Sequence, residues 1–250
     1  MEDYLGGRTQ CVEVSSYLNN HKTVVRSQYK PNNYGVPQGS ILGPLLFIIY
    51  INDLPNITTH KCVLYADDIT INIENNTNNI EYEKEINRTL VRVIDWLRHN
   101  NLQINISKTK MIRFQTYNTR QEALKIEYKN NVVNEVENTM FLGITIDKFC
   151  NWKAHIDNLC TKLDKFVYVL YRLRRVANMQ AALSAYHGYV SSIIRYGLII
   201  WGNSVDSIRV FRGQKKCIRS LCGLHQLDSC IPYFQKHHIL PLPSMYIFEI

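Results

Sequence analysis

The sequence has no run of about 18 apolar residues, so nothing in it reads as a membrane-spanning helix. Its first residues contain no basic region followed by an apolar stretch and a small-residue cleavage site, so a secretory leader is not expected. Cysteine is scattered rather than patterned: Cys11, Cys62, Cys150, Cys160, Cys217, Cys222 and Cys230 make an odd seven in 250 residues. A chain of that length needs no disulfide staples, and the pattern fits a reducing interior, in the cytoplasm or nucleus. No Cys-x-x-Cys occurs, and the spacings among Cys217, Cys222, Cys230, His237 and His238 match no familiar zinc-ligand pattern. The Asn-x-Ser/Thr sequons at Asn56, Asn75, Asn87 and Asn105 matter only on a secretory route and read as chance in an Asn-rich chain.

What is present is enough to build a core, since 46% of the residues are hydrophobic and 11% aromatic. The net charge of +8 is unevenly placed. Residues 1–152 carry 16 basic and 16 acidic side chains, residues 153–219 carry 12 and 3, and residues 220–250 carry 1 and 2. Such clustering suits a polyanion partner, and a solvated basic face that binds nothing is the plain alternative.

Between Val12 and Val25 polar and apolar residues alternate poorly; a short hairpin is placed there, before a loop at Pro31-Asn32-Asn33 and Gly35. The apolar run Pro44–Ile51 reads as a buried helix with Pro44 in its first turn and Asp53-Leu54-Pro55 at its end. Residues 62–73 form two β-rich arms around Ala66-Asp67-Asp68, a tight hairpin with acidic residues at the tip, and Glu74–Asn79 follows as a loop. Ile86, Leu90, Val93, Ile94 and Leu97 recur at helical spacing, which predicts a helix over 80–99 stopped by Asn100-Asn101, and a strand over Leu102–Phe114. From Leu159 the residues Leu159, Leu163, Phe166, Leu170, Leu173 and Ala177 form one helical stripe, with Lys162, Lys165, Arg172 and Arg175 read as the opposite face. The chain is therefore expected to be mixed α/β over 1–150 and mainly helical over 151–250, with a boundary near Asp147–Trp152.

Adjacent carboxylates at a hairpin tip repel one another unless a cation lies between them, so Asp67-Asp68 suggests a metal site. A hard divalent ion such as Mg²⁺ takes oxygen ligands, and two such ions clamp the attacking and leaving oxygens in nucleotidyl transfer. Taken alone, the pair reads as an exposed acidic turn. Its company changes that reading. Tyr65-Ala66-Asp67-Asp68 follows Gly35-Val36-Pro37-Gln38-Gly39-Ser40-Ile41-Leu42-Gly43-Pro44-Leu45-Leu46-Phe47 by about thirty residues. Ile51-Asn52-Asp53-Leu54-Pro55, Trp96-Leu97, Leu102-Gln103-Ile104-Asn105, Lys108-Thr109-Lys110, Phe141-Leu142-Gly143-Ile144 and Leu240-Pro241-Leu242-Pro243-Ser244 come in order with them. In this ordered set the chain resembles the reverse transcriptases of non-LTR retrotransposons, jockey-like insect elements above all, along nearly its whole length.

That resemblance implies an α+β fold: a polymerase palm with an antiparallel sheet and packing helices, followed by a helical, thumb-like region. It implies RNA-directed DNA synthesis with Mg²⁺, an RNA template and a DNA primer. Asp67 corresponds to the metal-binding residue of the tetrad, with Asp68 in support. Gly35, Pro37, Gln38 and Gly39, with Tyr65, correspond to the template and nucleotide pocket. Lys108, or failing that Lys110, corresponds to a lysine near the incoming triphosphate. Leu142 and Gly143 correspond to the hairpin that holds the primer end, and Lys162, Lys165, Arg172 and Arg175 to the duplex-binding face of the thumb.

The family also has a metal-binding Asp on an earlier strand. The acidic residues before Gly35 are Glu2, Asp3 and Glu13, and Asp3–Gln10 resembles the segment after that strand, so none of them is its counterpart. The expectation is a partial reverse transcriptase domain, inactive as an isolated chain. The alternatives left open are a non-enzymatic nucleic-acid binder and a structural remnant of a mobile element.

Overall fold

The computed structural model describes residues 2–18, 21–74, 78–117, 124–129 and 131–250. The chain divides into two units, Met1–Ile104 and Asn105–Ile250. The first contains α1 (Glu2–Leu5), β1 (Thr9–Gln10), β2 (Glu13–Leu18), β3 (His21–Arg26), β4 (Lys30–Pro31), α2 (Leu42–Ile51), a 3₁₀ turn at Leu54–Ile57, β5 (Lys61–Tyr65), β6 (Asp68–Asn72) and α3 (Asn79–His99).

The hairpin expected between Val12 and Val25 is present as β2–β3, in a register running from Glu13 opposite Arg26 to Tyr17 opposite Lys22. β3 is exposed along its whole length, which is why its sequence shows no clean alternation. Helix α3 begins where the Asn78 side chain accepts the Glu81 N–H at 2.9 Å. It closes through Asn101 at φ 52, with the Leu102 N–H on the Leu97 carbonyl at 2.8 Å. That is a helix C-terminus of Schellman type, and it makes Asn100-Asn101 the stop. Leu54, Val93 and Leu97 form a small core, covered by Cys62, Leu64, Ile69 and Ile71 from β5–β6.

Two sequence expectations fail in local detail. The helix over Pro44–Ile51 exists, within α2, but it is not buried: Gly43 and Ile51 are, while Leu45, Ile48, Ile49 and Tyr50 are 46–60% exposed. Apolar residues surround the whole helix, and only Gly43 and Ile51 along it are buried. The strand expected over Leu102–Phe114 shrinks to β7 (Lys110–Met111). Asn105 is the reason, because its carbonyl takes the Thr109 N–H at 3.0 Å and its side chain takes the Ser107 hydroxyl at 2.7 Å. This local turn competes with extended pairing.

The second unit continues with β8 (Glu127–Tyr128), β9 (Asn131–Val132), β10 (Asn134–Glu135), β11 (Asn138–Phe141), β12 (Ile144–Asp147), α4 (Lys153–Val176), α5 (Met179–Ala185), a π-helical turn at Tyr186–Ser191, α6 (Ser192–Arg195), α7 (Leu198–Trp201), α8 (Ser207–Cys222), α9 (Ile231–Lys236) and α10 (Leu242–Glu249). Asp147 makes the turn from β12 into α4. Its carboxylate accepts backbone N–H groups from Phe149 at 3.0 Å, Asn151 at 3.1 Å and Trp152 at 2.8 Å, offsetting the positive φ of Cys150 and Trp152.

The stripe on α4 is buried at Leu159, Leu163 and Leu170, and it packs against Val210, Cys217, Ile218 and Leu221 of α8. The helices approach closely at Gly213, where a Cβ would lie 2.9 Å from Leu163 Cδ1. Gln214 is fully buried and fully bonded: its amide donates to the Tyr186 hydroxyl at 3.1 Å and the Leu240 carbonyl at 3.0 Å, and accepts the Leu242 N–H at 2.9 Å.

Among the described residues the antiparallel pairing that the resemblance implied occurs in small two-stranded sheets, five pairs antiparallel and β7–β10 parallel. The fold is mixed α+β. Packing divides the chain at Ile104 and Asn105, whereas the change in composition falls near Asp147–Trp152, because β12 packs on α4.

Candidate active site and nucleic-acid surface

In β5–β6, Tyr65 pairs with Asp68, which leaves Ala66 and Asp67 as a two-residue loop. Ala66 sits at φ 51, a left-handed conformation that costs a non-glycine residue about 1–2 kcal/mol. Cys62, Leu64, Ile69 and Ile71 point to the core, so the period of two sends Val63, Tyr65, Asp68 and Thr70 to the exposed face. Asp67 and Asp68 are both exposed, one in the loop and one at the start of β6, and Tyr65 is 63% exposed beside them. Two adjacent carboxylates suit the oxygen preference of Mg²⁺. Among the described residues, however, no three His, Cys, Asp or Glu side chains group closely enough to hold a metal ion. The donors present fit the ion in kind but form a partial set.

The loop before α2 is shaped by glycines and one serine. Gly35 and Gly39 lie at φ 67 and φ 85, which only glycine adopts freely. Ser40 donates its hydroxyl to the Pro37 carbonyl at 2.7 Å, accepts the Gly43 N–H at 3.1 Å and bonds the Tyr4 hydroxyl. Gln38 is exposed. Arg8, which sequence reasoning passed over, latches this loop: its guanidinium donates to the Gly35 carbonyl at 2.5 Å and the Tyr34 carbonyl at 3.2 Å. A lone arginine in a polar stretch left no signal by which to find it.

Lys108 belongs to the second unit and lies exposed in the Asn105 turn, with its N–H on the Asn105 carbonyl at 3.1 Å; Lys110 opens β7. Leu142 and Gly143 form the two-residue loop of β11–β12, at φ 46 and φ 82, the pattern of a type I′ turn. Tyr196 holds that tip. Its hydroxyl donates to the Leu142 carbonyl, and its ring lies 3.2 Å from where a Gly143 Cβ would be. The Tyr196 carbonyl accepts the indole N–H of the fully buried Trp201 at 3.0 Å.

All four expected cations of α4 are exposed. At 100° per residue, Lys165, Arg172 and Arg175 lie on the outward side, and Arg175 sits over the Tyr171 ring at 5.1 Å. Lys162 lies at the edge of the apolar stripe rather than opposite it. The acids of α4 are engaged elsewhere, Asp157 with Arg209 at 2.7 Å and Asp164 with Lys216 at 3.1 Å, both from α8.

Cys217 is buried with its thiol directed at the Leu163 carbonyl, and burial pushes it up to about 12, so it serves the core. No helix among the described residues is long and apolar enough to cross a membrane.

The first unit thus carries a carboxylate-tipped hairpin and a glycine-rich loop, and the second carries a clamped two-residue turn and a helix whose Lys and Arg side chains are exposed. The chain matches the model of the family described as reverse transcriptase (RNA-dependent DNA polymerase) over residues 7–146, and it belongs to that family. It is 27% identical over 89% of its length to a probable RNA-directed DNA polymerase from transposon X-element of Drosophila melanogaster. It is 28% identical over 78% of its length to the one from transposon BS, and 24% over 89% to the RNA-directed DNA polymerase from mobile element jockey, both of the same fly. These are enzymes of non-LTR elements, and the chain covers 24%, 23% and 25% of their respective lengths. No solved structure matches it.

Proposed function

We propose that the chain is the palm and thumb portion of a non-LTR element's reverse transcriptase, residues 1–150 supplying palm and 151–250 thumb, and that the whole protein makes DNA on an RNA template. The observation that carries this reading is the placement of Asp67 and Asp68 at a strained hairpin tip inside the segment that matches the family. Asp67 would hold Mg²⁺, with Asp68 supporting. The ion, when bound, would neutralise charge on the reacting phosphate oxygens. Gly35, Pro37 and Gly39 let template and nucleotide approach the backbone, Gln38 hydrogen-bonds a template base, and Tyr65 borders the nucleotide on the face it shares with Asp68. Lys108, with Lys110 as the second candidate, offsets charge on the departing pyrophosphate. Leu142 and Gly143 support the primer end. Lys162, Lys165, Arg172 and Arg175 take duplex phosphates, contacts that need charge and no sequence reading.

The partial donor set favours a second reading, nucleic-acid binding without catalysis by this chain alone. One set of assays tests both. A blunt RNA–DNA duplex should bind with an affinity that falls with salt, and changing the four cations to Ala should flatten the log–log slope by about 3–4, near 0.9 for each phosphate left without its cation. An unchanged slope sinks the thumb assignment. In primer extension on RNA with Mg²⁺, the whole protein should be active and lose activity with Asp67→Ala, while the isolated chain should extend nothing.

A further inference from the structure

We propose that Tyr189 and Tyr196 form a stacking platform for unpaired nucleotides of a single-stranded nucleic acid, with Lys162 to take a phosphate. The inference rests on the nucleic-acid reading above and extends it to a second kind of ligand. Three elements close a frame around this surface. On α4, Asn158, Lys162 and Phe166 are four residues apart and share one ridge. Asn158 Nδ2 donates to Thr145 Oγ1 of β12 at 3.1 Å. The Phe166 ring stacks on Tyr189, with centroids 5.2 Å apart and planes at 24°. Tyr196 lies two turns beyond Tyr189 and grips the Leu142-Gly143 tip. On that ridge Lys162 falls between the residue that meets β12 and the residue that meets Tyr189.

Tyr189 and Tyr196 remain 55% and 53% exposed despite these contacts. Both acids of α4 pair with α8, so Lys162 has no carboxylate of its own helix to neutralise it. Tyr189 also sits in the π-helical turn, a rare conformation that recurs at functional sites.

A cation with no free acid on its own helix, on the ridge that leads to Tyr189, together with two exposed rings selects the occupant. A duplex offers phosphates, but its base faces are covered by their neighbours. A single strand offers both a phosphate and a free π-face, and stacking on an aromatic side chain is worth about 1–3 kcal/mol per base without sequence preference.

Fluorescence anisotropy on the 250-residue chain tests this with two labelled probes, a 12-nucleotide single-stranded RNA and a blunt RNA–DNA duplex of equal length. Tyr189→Ala should weaken single-strand binding about 5- to 100-fold and leave duplex binding within twofold. Tyr189→Phe, which keeps the ring, should bind the single strand like the unchanged protein and also controls for folding. Wild-type binding to duplex but not to single strand would overturn the platform alone, as would a Tyr189→Ala variant that binds the single strand normally or loses both ligands equally. Wild-type binding to neither probe would overturn both the platform and the thumb assignment.

Discussion

Replacing Gly197 with Ala should loosen the hairpin tip without touching any charged group. Gly197 lies at φ 63, where an alanine costs about 1 kcal/mol or slightly more. The new Cβ would lie 2.5 Å from Ile144 Cδ1, with Ile144 Cγ1 at 3.4 Å and Trp201 Cδ1 at 3.9 Å. Only the terminal methyl truly collides, and Ile144 can swing it aside at about 0.5–1.5 kcal/mol for leaving its rotamer. The sum is about 1.5–2.5 kcal/mol, which for a unit of this size lowers the melting temperature by about 3–10 °C. Thermal unfolding followed by tryptophan fluorescence reads the change through the buried Trp201. Ile144→Val supplies the control, since it removes the colliding atom. By itself it should cost about 0.5–1.5 kcal/mol, but combined with Gly197→Ala it should recover the steric share and leave the backbone share. If the two changes add in full, the collision is not the cause and the reasoning fails.

The His155 side chain is buried, and its Nδ1 accepts the Thr145 N–H at 3.3 Å. Burial, with Lys162 adding to it, holds its pKa below the usual histidine value. The unfolded chain thus takes a proton near pH 6.5 before the folded one does, so this contribution is whole above about pH 6.5 and is lost as pH falls below it. Urea unfolding at pH 7.5 and 5.5 should show a smaller difference for His155→Gln than for the unchanged protein, and equal differences would contradict the assignment. At the other candidate site, Mn²⁺ titration by electron paramagnetic resonance should give millimolar or weaker binding to the chain, since two carboxylates leave most coordination positions unfilled. A tight site removed by Asp67→Ala would mean that further ligands complete it.

The sequence alone determined the parts whose signal is local. A period of two on either side of Ala66-Asp67 is enough to make β5–β6 and bring Asp67 and Asp68 to its tip. The spacings of four and three from Leu159 are enough to make α4 and choose its buried side, and the order of motifs was enough to indicate the family. What only tertiary structure decided depends on contacts between distant residues or on which surfaces find cover. The apolar run of α2 marks a helix but cannot say which sides are covered, because every side is apolar. A β-prone stretch after Leu102 cannot announce that the Asn105 side chain will turn it. The latch of Arg8 on Gly35, the grip of Tyr196 on the Leu142 carbonyl 54 residues away, and the meetings of Asn158 with β12 and of Phe166 with Tyr189 on either side of Lys162 along α4 come from folding the chain back on itself. No periodicity records such meetings, because the residues involved pack against partners that lie in other elements.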